Sequence, residues 1–453
     1  MELERAVHGL YGTHHSCTKS TGFSQYHLHR LPFALARIFH ESPAAFATNG
    51  TQLIGIGPTS RAMGGVGIAA PQDAISAVFA NPAGMCFGPY CPSSQFDFAG
   101  TIFMPEPKAK ITASGQTHKA NSRENNYAIP AIGFSVPIGE AESRWRFGLS
   151  AYGVSGLGVD YRDTAIDKPN FFPGPGGTSA PLASGTYTNT QLMKFAPTIA
   201  YQALPNLSVG TSFQINYSAL DLGDGNVSAY SYGVKLGGIY KPIDQLSIGL
   251  VYTSPQKATY NHVFDFNNNG RRSNLSLEQP QEVGLGVAYE FFEARLLLET
   301  NAKWINWSDA EGFEDFGWDD QYVFAVGAQW EAIDHLFFRV GYNYAESPVD
   351  ENDGWDGAFG AFGPNDSVDV QGKSLPRYYY ESFRVVGLPA VVEHHITAGI
   401  GYEFGESLKL DFSYVHAFEN DISESGTAPD GSPAKIKSEL YEDSLSFAFT
   451  WRF

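Results

Sequence analysis

The final stretch of the chain, Leu445-Ser446-Phe447-Ala448-Phe449-Thr450-Trp451-Arg452-Phe453, sets a bulky apolar side chain at every odd position and a small or polar one at every even position. A period of two sends successive side chains to opposite faces of a β-strand. One face is therefore uniformly apolar and needs a core or lipid against it. The pattern recurs. Leu408, Leu410, Phe412 and Tyr414 alternate with Lys409, Asp411 and Ser413, and Phe338, Val340, Tyr342 and Tyr344 alternate with Arg339, Gly341 and Asn343. Ile396, Ala398, Ile400 and Tyr402 alternate in the same way with Thr397, Gly399 and Gly401, as do Leu207, Val209, Phe213 and Ile215 with Ser208, Gly210, Ser212 and Gln214. Charged groups on the second face suit a wet lumen better than a dry sandwich core.

Segments of this kind begin near Ser93, Asn126, Arg144, Gln191, Asn206, Val227 and Gln245, and again near Pro280, Ala294, Gln321, His335, Glu393, Ser407 and Leu440. That is about fourteen, each close to the 9–11 residues a tilted membrane strand needs. Their connections alternate in length. Leu204-Pro205, Lys241 to Asp244, Phe291 to Glu293 and Gly405-Glu406 are short, whereas Pro105 to Asn125, Ser155 to Thr190, Ala345 to Val392 and Glu419 to Glu439 are long. Short turns at one end and long loops at the other are the arrangement of bacterial outer-membrane barrels, and an even strand count returns both termini to the short-turn side. The expected fold is all-β, a 14-stranded antiparallel transmembrane β-barrel over residues 93–453.

Composition agrees. Aromatic residues make up 14% and charged residues 17% of the 453, and the mean hydropathy is -0.20, as averaging apolar-out with polar-in strands requires. No run reaches the roughly 18 apolar residues of a membrane-spanning helix. The net charge of -19 disfavours nucleic acid as a partner. Residues 1–47 read as a leader, with an apolar stretch from Leu31 to Phe39 and an Ala45-Phe46-Ala47 cleavage pattern before Thr48. Cys86 and Cys91 are spaced for a small disulfide loop in an oxidising compartment, or stand as two free thiols, and are too few for a structural metal site. Residues 48–92 are too irregular for a membrane strand. A fourteen-strand barrel is wider than the eight-strand size that side chains alone fill, so this stretch is expected to be a hatch, or plug.

At the hatch the sequence resembles a known family. Gly64-Gly65-Val66-Gly67, Asp73-Ala74-Ile75-Ser76-Ala77 and Asn81-Pro82-Ala83-Gly84-Met85 are similar to the hatch of the FadL/TodX outer-membrane transporters, whose Asn-Pro-Ala motif is matched by Asn81, Pro82 and Ala83. Tyr252-x-Ser254-Pro255, Trp304-x-x-Trp307-Ser308, Gly341-Tyr342-x-Tyr344 and His395-x-Thr397-x-Gly399 continue the likeness through the barrel. The resemblance implies passive uptake of long-chain fatty acids or aromatic hydrocarbons, with exit by hatch movement or through a kink in the third strand. The third segment, Arg144 to Val154, is followed by Gly156 and Gly158, and glycine can mark such a bend.

A hydrophobic solute needs apolar surface that desolvates it. Loop aromatics Phe171, Phe172, Phe359 and Phe362 are candidates for capture, though loop aromatics also pack loops together. A carboxylate head group would want a cation, and Lys194, Lys303, Arg339 and Lys409 fall on the lumen face by parity; pairing with Glu299, Glu403 or Asp411 is their alternative role. No catalytic residue, metal or cofactor is expected. The partners expected are a hydrophobic small molecule and outer-membrane lipid, with the protein as a monomer. Two rivals are a general diffusion porin and a barrel hydrolase built on His395 and Ser413, which face the lumen by parity.

Overall fold

The computed structural model describes residues 49–453 apart from 87–93, 124–125, 141, 174–178 and 266–270. The expected leader and Cys91, and with it the Cys86–Cys91 pairing, lie outside the described residues. Among those described, fourteen long strands form one closed antiparallel sheet. They are β1 (Gln95–Pro105), β2 (Tyr127–Pro137), β3 (Trp145–Asp160), β4 (Tyr187–Leu204), β5 (Leu207–Asp221), β6 (Val227–Ile243) and β7 (Leu246–Thr253), then β8 (Glu282–Phe291), β9 (Leu296–Ile305), β10 (Gln321–Ile333), β11 (Leu336–Ala345), β12 (His394–Phe404), β13 (Leu408–Thr427) and β14 (Pro433–Arg452). Each pairs with its neighbours in sequence. The ring closes where β1 runs against β14, from Gln95 opposite Arg452 to Pro105 opposite Glu442. No edge is left unpaired along that seam, which is the condition for backbone to cross hydrocarbon.

The alternation read from the sequence maps onto the two faces of this wall. On β14, Leu445, Phe447 and Trp451 are 51%, 44% and 49% exposed, while Ser446, Ala448 and Thr450 are 3%, 7% and 3% exposed. Phe412, Val340, Ile400 and Phe213 likewise point outward, against inward Asp411, Arg339, Thr397 and Gln214. An apolar exterior around a polar interior is the inverse of a soluble protein, and its solvent is lipid. No helix among the described residues is long and apolar enough to cross a membrane; the strands cross.

Two expected loops are largely strand. The stretch read as the loop Glu419 to Glu439 continues β13 to Thr427 and starts β14 at Pro433. Within 105–125, Lys108–Ala113 and Gln116–Asn121 form a hairpin that lies against β14. Here the polarity of the faces reverses. Ala109, Ile111, Ala434, Ile436 and Leu440 turn inward onto the packed outer loops, and lysines turn outward, so the apolar phase that marked the membrane strands breaks at the membrane boundary. The outer loops have their own core, in which Trp307, Phe313 and Trp318 pack within 4.7–4.9 Å of one another. Trp307 and Ser308 of the Trp-x-x-Trp-Ser stretch serve this loop, the Ser308 hydroxyl donating to Asp320 (2.7 Å).

Candidate functional site

The outer ends of β4 to β6 meet the loops around a cavity. Leu192 on β4 and Leu220 on β5 form one wall, and Tyr260, Leu275 and Leu277 of the hairpin over residues 256–279 form a second. Phe313, Phe316, Phe383 and Leu388 come down from the loops. Phe383 follows α3 (Arg377–Ser382), and the turn that carries it is fixed by the buried Arg384, which donates to Glu381 (3.0 Å) and to Glu424. The polar lining is uncharged: Gln256, Gln279 and hydroxyls such as Ser218 and Thr51. A mainly apolar wall with a few amides and hydroxyls is the lining expected of a small-molecule site.

Below it the polar groups become charged. Gln256 donates to Gln214 (2.8 Å), which also accepts from Lys194 Nζ (3.0 Å). Lys194 on β4, Lys235 on β6 and Lys303 on β9 all act electrostatically on Glu282 of β8. Of the cations singled out by parity, Lys194 and Lys303 are therefore brought together, and Lys235 joins them. Arg339 is held elsewhere, donating to Asp411 (2.7 Å) and Gln329 (2.6 Å), with Lys409 on the same aspartate at 3.5 Å. Phe171 and Phe172 do not line the cavity. They stack at right angles 4.8 Å apart, Phe171 against His118 and Phe172 against Tyr378. Phe359 lies against Tyr379, and Phe362 is fully exposed at a hairpin tip.

The segment from Asn49 to Met85 lies against the inner face of the sheet. It contains α1 (Pro58–Ala62) and α2 (Ala74–Ala80), the latter capped by Asp73 and further satisfied by Asp97 of β1, which accepts from Ala74 N (2.8 Å) and Ile75 N (3.2 Å). Carboxylates suit a helix start, where backbone N–H groups lack partners. Glu299 on β9 accepts from Gly67 N (3.0 Å) and Ala69 N (2.8 Å). Asn343 on β11, Thr397 on β12 and Ser444 on β14 bind Gly64 O (3.0 Å), Ala62 O (2.8 Å) and Arg61 (2.5 Å). Strands from the whole circumference thus hold one short segment.

The Asn81-Pro82-Ala83-Gly84 motif is part of this attachment. Asn81 is buried, and its amide donates to Ile68 O (2.8 Å) within the segment and to Gly238 O (3.2 Å) and Leu250 O (3.3 Å) on β6 and β7. Its side-chain oxygen accepts from Ala83 N (3.1 Å), and Ser208 donates to Ala83 O (2.8 Å). The wall must be bare for so close an approach. A Cβ at Gly237 would sit 2.0 Å from Asn81 Oδ1, and one at Gly341 would sit 2.2 Å from Gly64 N. Asn81→Ala removes the two N–H donors shared among the carbonyls of Ile68, Gly238 and Leu250, at about 1 kcal/mol each or less. Amide exchange across Val66–Ala69 should then accelerate about tenfold or more while the strand amides stay protected; equal exchange in wild type and variant would remove Asn81 from this role.

Of several register shifts in the described wall, the one in β3 adjoins a break in strand pairing. β2 and β3 pair only between Ala131/Tyr152 and Pro137/Arg146. Beyond that, Tyr127–Pro130 pairs only with β1, and β3 pairs only with β4 across a register shift between Gly153 and Ser155. This register shift falls in the third strand, just before Gly156, where the family resemblance implies a kink. Leu53 N of the inner segment donates to Val154 O there (3.1 Å).

A closed barrel with a lipid-facing exterior, a segment across its interior and an apolar pocket at its long-loop end is a channel of the bacterial outer membrane. The chain belongs to the family described as outer membrane protein transport protein (OMPP1/FadL/TodX), whose model matches residues 39–226 and 221–354. Among solved structures it is similar to the P. putida toluene transporter TodX (17% identity, TM-score 0.60, 88% of this chain and 99% of that one). The Ralstonia pickettii toluene transporter TbuX (17%, 0.59, 88% and 99%) and a Pseudomonas aeruginosa FadL homologue (14%, 0.61, 91% and 100%) are similar to the same extent. At such identities the likeness is one of fold. No curated protein matches by sequence.

Proposed function

We propose that this protein carries hydrophobic compounds passively across the outer membrane, through a barrel closed by the segment Asn49–Met85 acting as a plug. The observation that carries the reading is the cavity over β4–β6, apolar on most sides and without a charged side chain. Moving an apolar solute into it recovers about 25 cal/mol per Å² taken from water, enough to draw the solute out of the polar leaflet. Toluene is the compound named for TodX and TbuX, and an uncharged aromatic hydrocarbon suits this lining. Exit is assigned to the unpaired stretch between β2 and β3, beside Leu53.

The lysines below the cavity favour a second reading, a long-chain fatty acid with its tail in the cavity and its carboxylate toward Lys194. Binding of an alkylbenzene and of a fatty acid to the detergent-solubilised protein separates the two. Leu275→Glu puts a carboxylate into the apolar wall and should weaken hydrocarbon binding at least tenfold. Lys194→Met should leave the hydrocarbon unaffected and weaken only the fatty acid. Unchanged binding in Leu275→Glu, or undiminished hydrophobic uptake in a strain lacking the protein, defeats the proposal.

The rival functions fit less well. A general diffusion porin does not need a segment bonded around its lumen. A hydrolase needs nucleophile and base in contact, yet His395 lies opposite Ala417 while Ser413 lies opposite Gly399, four residues or roughly 13 Å along the strand. We therefore read the chain as a channel and not an enzyme, acting as a single barrel.

A further inference from the structure

The outward face of β14 changes character along its length. Trp451, Phe449, Phe447 and Leu445 face lipid; Asp443, held by Tyr414 (2.5 Å) and His416 (2.8 Å), and then Tyr441 follow; above these come Glu439, Lys437 and Lys435. Tyrosine at such a boundary marks the membrane–water interface. Lys437 lies four residues higher, about 13 Å along a tilted strand, at the height of the head groups and inner sugars of the outer leaflet.

The adjoining hairpin brings more lysines to that height. Lys119 is directly opposite Lys110, and Lys110 is directly opposite Lys437, so three lysines stand in one row across three neighbouring strands. Lys435 and Lys108 stand in the rows on either side, and Lys108 Nζ lies over the Tyr441 ring (5.2 Å), which places both on the outer face. The inward-facing Ala109, Ile111 and Ile436 are buried and fix this orientation. Lys108 pairs with Glu419 (2.7 Å), and Lys437 with Asp421 (3.2 Å) and Glu439 (2.8 Å). Asp353, at the margin, accepts from the Ser425 hydroxyl (2.7 Å). Among the described residues no carboxylate lies within ion-pair distance of Lys110, Lys119 or Lys435.

Like charges directly opposite one another in a sheet repel. Lys437 is balanced by Asp421 and Glu439, and Glu439 and Asp353 act at longer range on Lys119 and Lys435; the facing Lys110 and Lys119 remain without an ion pair on this face, and an anionic partner would relieve their repulsion. We infer that this face, Lys108, Lys110, Lys119, Lys435 and Lys437 above the Tyr441 boundary, is a docking site for the phosphate groups of a phosphorylated glycolipid in the outer leaflet. Clustered ammonium groups are point-charge phosphate binders, and the site adjoins the lipid-facing wall, so the acyl chains of the same molecule reach Leu445 and Phe447. The inference does not depend on what the channel carries.

The test uses the full-length protein in nanodiscs, with lipopolysaccharide as the probe and its dephosphorylated form as the control. Lys110→Gln/Lys119→Gln/Lys435→Gln removes the three lysines without internal pairs, and heat-modifiable gel migration checks that the barrel is folded. Near an anionic surface each lysine contributes about 1 kcal/mol, so affinity for the phosphorylated lipid should fall on the order of a hundredfold. A control triple at distant lysines, Lys241→Gln/Lys257→Gln/Lys373→Gln, should bind as wild type. Equal binding of dephosphorylated lipid, unchanged affinity in the first triple, an equal loss in the control triple, or displacement by soluble inorganic polyphosphate as readily as by the lipid overturns the assignment.

Discussion

With Asn49–Met85 in the proposed role of plug, deleting residues 50–85 is expected to raise the ion conductance of the barrel sharply. Fourteen strands enclose a lumen that wall side chains cannot fill, and the segment removed is bonded to Asp97, Glu299, Asn343, Thr397 and Ser444 around the ring. Without it, those groups and the Arg339–Asp411–Lys409 cluster would line water, and Gly237 and Gly341 would leave the wall bare where Asn81 and Gly64 now sit. The sheet itself should survive, because its ladder from β1 to β14 does not pass through the segment. Planar-bilayer recordings should show single-channel steps about tenfold larger or more than wild type. A deleted protein that folds, shifts on a heat-modifiability gel and still does not conduct would place the seal elsewhere, in the outer loops.

The second large effect is expected at Phe449→Arg. Phe449 faces lipid between Phe98 of β1 and Leu410 of β13, and an arginine on that face costs about 2–4 kcal/mol near the middle of the bilayer, less toward either interface. The folded-to-unfolded ratio in urea titrations against lipid vesicles should drop by about thirtyfold or more. Thr450→Ser, one residue on and turned inward, keeps the hydroxyl and deletes one buried methyl, and should change it by about 1 kcal/mol or less. If the two variants behave alike, the parity that separates lipid from lumen is wrong.

That parity is also why so much of the fold was legible. Between membrane boundaries a strand has lipid on one side and water on the other, so its hydropathy alternates strongly, and segments such as Ile396–Phe404 and Leu445–Trp451 announce themselves. Above the boundary the rule reverses. Pro433–Leu440 is apolar inward and cationic outward, and without the outer apolar phase the stretch reads as loop. The pocket was less legible still. Leu192, Leu275, Phe313 and Phe383 come from four separate stretches and share no spacing; only topology gathers them. Parity flagged Lys194 and Lys303, but could not show that Lys235 joins them while Arg339 is taken up by Asp411. Phe171 and Phe172 drew notice as aromatic loop residues, yet an aromatic pair in a loop is recruited by any neighbouring ring, here His118 and Tyr378.

The hydrogen bond from Leu53 to Val154 ties two events into one. A buried carbonyl stripped of its donor is costly, so the inner segment cannot withdraw from Val154 without leaving that carbonyl of the third strand in need of another partner. On the exit route proposed above, an arriving solute that displaces Leu53 would loosen the wall at the same instant and in the same place, because one hydrogen bond joins the two.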